Sequence, residues 1–150
     1  MKNREQVVSA LNQNEVSELA DQLKSQFLHK MVRHANGMLP IPVYEALWSC
    51  AGEAPGPNFL EVGTAHGAGT IALALGAKKA GLDVKIQTID RLAGKFSSRS
   101  GFGSVEQNKT IVQENFARAN VSQCISLFVG IRMPIVRALD ARYDVSQNTL

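Results

Sequence analysis

The sequence predicts an α/β fold: a mostly parallel sheet with helices on both faces, preceded by N-terminal helices. Three observations predict it. Apolar residues recur at three- and four-residue steps through the first third of the chain, which is helical spacing. From residue 58 onward short apolar runs alternate with helical stretches, a pattern that right-handed strand–helix–strand crossovers satisfy. The stretch FLEVGTAHGAGT, residues 59–70, runs from an apolar segment through a glycine-rich loop into a helix. It therefore lies at the carboxyl end of a strand, where such sheets take ligands.

The elements follow in order. A short helix spans Arg4 to Leu11, with Asn3 as its cap. The next starts at Asn14 and gathers Val16, Leu19, Ala20, Leu23, Phe27, Leu28 and Met31 on one face. Lys30, Arg33 and His34 suit its carbonyl end, and Gly37 its left-handed cap. Val43 to Ala51 forms a third helix, with Pro42 in its first turn and Gly52 closing it. EAPGPN, residues 53–58, is a turn-rich connector. It sets a helical segment, 1–52, before an α/β core, 58–150, within one domain. NFLEV is a buried strand, Thr70 to Ala80 a helix closed by Gly81, and VKIQTI, 84–89, a second strand. A polar loop, RLAGKFSSRSGFGS, leads to a helix from Val105 to Ala119 opened by a capping box of Ser104 and Gln107. CISLFV, 124–129, is the third strand; a short helix from Pro134 to Ala141 and a fourth strand beginning at Tyr143-Asp144-Val145 follow.

Composition excludes several classes. With 45% apolar and 19% charged residues the chain is globular rather than disordered. A net charge of +3 without any lysine- and arginine-rich block leaves no nucleic-acid footprint. Cys50 and Cys124 form no CxxC pair, which fits a reducing compartment. The N-terminus lacks an apolar signal core, and no run reaches the roughly 20 apolar residues of a membrane span. A cytoplasmic protein without a membrane partner is expected. No phosphate-binding GxxxxGK[ST], GxSxG elbow or HExxH is present. No metal site is expected: His29 and His34 are poorly aligned for a metal pair, and Tyr44 and Trp48 read as core or inter-helix contacts.

Two readings of the glycine loop compete. Gly67, Gly69 and Ala72 satisfy G-x-G-x-x-G/A, and Asp90 ends the next strand where a ribose-binding acid belongs, as in NAD-dependent oxidoreductases. The register favours another spacing, because Gly67 arrives five residues after Val62, whereas Gly63 directly follows the strand. E-x-G-x-x-x-G, from Glu61 through Gly63 to Gly67, fits better. Here the chain resembles the class I S-adenosylmethionine-dependent methyltransferases. Within them it is similar to the small-molecule O-methyltransferase-like group, whose loop reads E-[IV]-G-T-[AG]-x-G-x-[ST]-T. LEVGTAHGAGT matches at Glu61, Gly63, Thr64, Ala65, Gly67 and Thr70. The likeness continues through QTID, NFARANV and ISLFVG, over about residues 38–130.

That resemblance implies a Rossmann-like core, S-adenosylmethionine as cofactor and methyl transfer to an oxygen or nitrogen of a small molecule. It implies cofactor contacts at Glu61, Gly63, Thr64, Ala65, His66, Gly67, Thr70, Asp90, Arg91 and Gly130, and assigns no catalytic residue. The chemistry agrees. Glu61 can accept charge-assisted hydrogen bonds from an ammonium group, and Asp90 can accept two ribose hydroxyls. Backbone donors at residues 64–67 and the Thr70 hydroxyl suit a carboxylate at a helix N-terminus. His66 lies in the same loop, Arg91 opens the following polar loop, and Gly130 ends the third strand.

The chain departs from the pattern in three places. Gly69 stands where the family often has serine or threonine, Ile131-Arg132 follows Gly130 in place of the residues that flank adenine, and ARYDV leads only into SQNTL. The resemblance therefore implies an incomplete fold that lacks its C-terminal half and the metal- or substrate-binding acid found there. The first strand would then have an open edge, suited to a homo-oligomer or a completing chain. A non-catalytic module that acts by binding and association is the alternative function.

Overall fold

A computed structural model of the chain describes residues 13–93 and 104–130. The expected elements at Arg4–Leu11, Pro134–Ala141 and Tyr143–Val145, together with most of the polar loop and Ile131-Arg132, lie outside those residues. The described order is α1 (Gln13–His34), α2 (Ile41–Gly52), β1 (Asn58–Val62), α3 (Ala68–Lys79), β2 (Lys85–Asp90), α4 (Val105–Arg118), a 3-10 turn (Ser122–Cys124) and β3 (Ile125–Val129).

The three strands form a parallel sheet in the order β1-β2-β3. Right-handed crossovers that advance in one direction place α3 and α4 on the same face. On that face Phe59, Ile86 and Ile125 are in register, as are Glu61, Thr88 and Leu127. Ile71, Ile86, Val112 and Phe116 form the centre of the core there. Leu28, Met31, Val32, Tyr44 and Ala51 join the same cluster, so α1 and α2 pack as a further layer over α3. α2 and α3 touch backbone to backbone at Gly76, where a Cβ would lie 1.9 Å from the Trp48 carbonyl oxygen.

Helix ends follow local chemistry. Ser104 and Gln107 make the expected capping box at α4, each side chain bonded to the other's backbone N–H. α1 ends differently from the expectation. Asn36, not Gly37, takes the left-handed conformation (φ 49°), and the N–H groups of Asn36 and Gly37 bond to the carbonyls of Arg33 and Val32. Asparagine tolerates this geometry. Gly37 is needed for space, since a Cβ there would lie 2.7 Å from Val32 Cγ1. Asn120 closes α4 in the same way, bonding Ala117 while Val121 bonds Phe116.

Three further expectations are corrected. Asn14 lies inside α1 rather than at its cap. α3 begins at Ala68, two residues before the expected Thr70, because Gly67 serves as its N-cap. The seven apolar residues expected on one face of α1 are not covered alike: Leu28 and Met31 are buried, while Val16, Leu19, Leu23 and Phe27 are exposed. Among the described residues no strand pairs with the outer edge of β1, and Leu60 and Val62 on the face away from α3 are 61% and 54% exposed. No described helix is long and apolar enough to cross a membrane.

Candidate functional site

The register between β1 and β2 sets Glu61 beside Thr88. The Thr88 hydroxyl donates to Glu61 Oε2 at 2.6 Å, and the Thr70 hydroxyl donates to the same oxygen. Because the one Thr88 proton is used there, the 2.5 Å contact between Thr64 Oγ1 and Thr88 Oγ1 is a donation from Thr64. Two buried hydroxyls, Thr70 and Thr88, thus donate directly to one carboxylate, and a third, Thr64, reaches it through Thr88. Burial raises the Glu61 pKa above the usual carboxylate value, outweighing the two hydrogen bonds that lower it, and the nearby Asp90 charge raises it further. Among the described residues no lysine or arginine pairs with Glu61. A partly buried carboxylate without a counter-cation is costly.

The one proton of the Thr70 hydroxyl is thus directed to Glu61 in this structure. The absence of a side chain at Gly69 has a local cause: a Cβ there would lie 2.6 Å from Glu61 Oε1. A side chain at 69 would therefore require the Glu61 carboxylate to shift.

The loop after β1 turns through positive φ at Gly63 (102°), Ala65 (47°) and Gly67 (91°). Gly63 N–H bonds the Ile89 carbonyl and Gly67 N–H the Thr64 carbonyl, so the chain turns away from the strand at Gly63. This is the register of E-x-G-x-x-x-G rather than that of the dinucleotide pattern. Gly67 packs against Phe116, whose Cε1 would be 2.6 Å from a Cβ at 67. As the N-cap of α3 it offers no side-chain acceptor, and the first turn of α3 contains no acidic residue. The amides that open α3 are left to a ligand anion or solvent.

Asp90 holds this loop from the next strand. Its Oδ2 accepts the Ala65 N–H at 2.7 Å and its Oδ1 the Leu92 N–H at 2.8 Å. A carboxylate has about four acceptor positions, so each oxygen keeps capacity for a hydroxyl. The His66 carbonyl accepts from Asn115 Nδ2 at 3.0 Å, tying the loop to α4. Burial lowers the His66 pKa below that of an ordinary imidazole. The stability linked to the neutral ring is present above the unfolded value and is lost as pH falls.

Glu61, Gly63, Thr64, Ala65, His66, Ala68 and Gly69 line one side of a cavity of about 200 Å³. Ala35 to Leu39, with Tyr44 and Leu47, line the other. That second wall was not legible in the sequence. It is held by the Leu39 N–H, which donates to Tyr44 Oη at 3.1 Å, and by the turn at Asn36. The volume is below the roughly 300–1,000 Å³ of pockets that enclose whole small molecules, and matches a fragment of one. Of the other expected residues, Gly67 and Thr70 are buried beneath the loop, and Asp90 is joined to it through Ala65. Arg91 is exposed and Gly130, whose N–H bonds the Asp90 carbonyl, directly follows β3; neither lines the cavity. A larger, shallower groove of about 470 Å³ runs past Gln26, His29, Lys30, Arg33 and His34, away from the strand ends. No described cluster of three or more His, Cys, Asp or Glu side chains is arranged to hold a metal.

The fold matches solved methyltransferases. The O-methyltransferase TomG from Streptomyces achromogenes, solved in complex with SAM, matches with a TM-score of 0.54 and 20% identity, over 76% of this chain and 47% of that one. An O-methyltransferase from Bacillus cereus in complex with SAH gives 0.53 and 21%, over 77% and 48%. The SAH-bound methyltransferase PaMTH1 of Podospora anserina gives 0.53 and 13%, over 85% and 54%. No family model matches the chain, and no curated protein matches it in sequence. At these identities the likeness is one of fold. The chain has part of the fold of the S-adenosylmethionine-dependent small-molecule O-methyltransferases. It spans about half the length of the proteins it matches.

Proposed function

We propose that the chain binds S-adenosylmethionine at the carboxyl ends of β1 and β2 and serves methyl transfer to an oxygen or nitrogen of a small molecule. The observation that carries this reading is Glu61, a partly buried carboxylate without a cation among the described residues, facing a cavity beside an uncapped helix N-terminus. A cation and an anion on one small ligand satisfy both features, and an α-amino acid carries both. Glu61 would hold the ammonium group, the amides opening α3 the carboxylate, and Asp90 the ribose hydroxyls. The cavity fits the amino-acid end, while Asp90 lies outside its lining, as two parts of one elongated ligand require. When bound, the cofactor supplies an electrophilic methyl group, and the contribution of these residues is to position it.

One feature favours a second reading as a binding module: among the described residues no cluster of His, Cys, Asp or Glu is arranged to hold a metal. In either form the adenosyl ligand binds. Calorimetric titration with S-adenosylmethionine, S-adenosylhomocysteine and NAD(H), on wild type and Asp90→Ala, tests it. Micromolar binding of the adenosyl ligands, lost in Asp90→Ala, is expected; binding of NAD(H) alone would overturn the proposal.

A further inference from the structure

Tyr44 lines the ligand cavity and is only 3% exposed. Its Oη accepts the Leu39 N–H at 3.1 Å. A phenol also carries one proton of its own, and among the described residues nothing accepts it. The hydroxyl sits at the cavity wall. Leu39 and Gly37 both line the cavity, and a Cβ at Gly37 would lie 2.9 Å from Tyr44 Oη. The other hydroxyl in the described lining, that of Thr64, gives its proton to Thr88. Tyr44 therefore brings a buried donor to the cavity that the described fold does not use, and such a donor is costly to leave unpaired.

Helix packing places this donor. α2 runs beside α3 in the same direction: a Cβ at Gly69 would lie 3.9 Å from Leu47 Cδ1, and one at Gly52 would lie 3.3 Å from the Gly76 carbonyl oxygen. Tyr44 precedes Leu47 by about one turn on the same face of α2, and helical side chains lean toward the N-terminus. Its hydroxyl thus lies ahead of the first turn of α3, whose amides have no side-chain cap. Glu61 borders the same cavity from the opposite wall.

We propose that Tyr44 is a ligand-binding residue, whose hydroxyl donates to the carboxylate of an α-amino-acid group while Glu61 holds the ammonium. The inference rests on reading this cavity as the amino-acid end of the cofactor site. The Leu39 N–H occupies one side of the phenol oxygen and so directs its proton to the other. The two walls then divide the zwitterion between them, the anion to Tyr44 and the α3 amides, the cation to Glu61.

Calorimetric titration of the full chain with S-adenosylmethionine and with its decarboxylated form tests this. The second ligand keeps the nucleoside, sulfonium and ammonium groups and lacks only the carboxylate. Wild type prefers the carboxylate-bearing ligand. Tyr44→Phe, which removes the hydroxyl and keeps the ring, shrinks that preference by about tenfold, as for a hydrogen bond to a charged group. A role confined to holding the wall through Leu39 would weaken both ligands by the same factor, and an unchanged preference would overturn the proposal. So would a wild type that binds the two ligands equally, a result that needs no variant to fold. Failure of the underlying reading looks different: wild type then binds neither ligand, and the proposal falls with it.

Discussion

The two sides of β1 differ sharply. Toward α3, Glu61 receives two threonine hydroxyls and, through Thr88, a third. Away from α3, Leu60 and Val62 are more than half exposed. The strand alternates strictly, so one residue's step separates a polar network from an uncovered apolar surface. Exposed hydrophobicity therefore does not coincide with the side proposed to take a ligand. A charge is kept partly buried on one side, and apolar side chains are left out on the other.

The largest effect is expected from removing the acceptor. Glu61→Leu strands the Thr70 and Thr88 hydroxyls and lowers stability by about 2 kcal/mol or more, read as a shifted denaturant midpoint. Gly67→Ala comes next, because it combines a left-handed φ with overlap on Phe116; a loss of about 2 kcal/mol is expected from the same measurement. Glu61→Gln has the opposite sign. It keeps an acceptor for the threonines and removes the buried charge, so the unliganded chain melts higher at pH 7. The sign follows from the raised pKa: the native state favours the protonated acid, so this contribution is present below the unfolded value and lost as pH rises through the folded one. Affinity for an ammonium ligand runs the other way, rising as Glu61 ionises. The difference between wild type and Glu61→Gln isolates both trends. The smallest effect belongs to the outer side, where Leu60→Lys leaves ligand binding unchanged and suppresses light scattering on warming, since charge on an open strand edge blocks pairing with other chains.

Much of this was legible in the sequence, and the failures have physical causes. The three strands fall within one residue of their expected bounds, and the Ser104–Gln107 box was readable because cap and partner are local. Periodicity identified a face of α1 but could not say how far along the helix anything packs on it; only the Leu28–Met31 end meets the core. Gly37 was expected as the left-handed cap on composition alone, whereas Asn36 takes that geometry and Gly37 makes room for Val32 and Tyr44. The Glu61 signature was visible, yet its threonine partners were not, because Thr88 meets it only through strand register. The Ala35–Leu39 wall carries no motif and depends on a tertiary contact with Tyr44.

The most direct test of the central claim, that Glu61 is a buried charge reserved for a cationic ligand, compares S-adenosylhomocysteine with adenosine on wild type and Glu61→Gln. The two ligands share the nucleoside, and only the first carries the ammonium group. Thermal unfolding at pH 7 should show the unliganded variant melting above wild type. It should also lose about 10-fold or more in affinity for S-adenosylhomocysteine, as expected for a charged hydrogen bond, while its affinity for adenosine is unchanged. Equal affinity of both proteins for S-adenosylhomocysteine, or an unliganded variant that melts below wild type, would contradict the account.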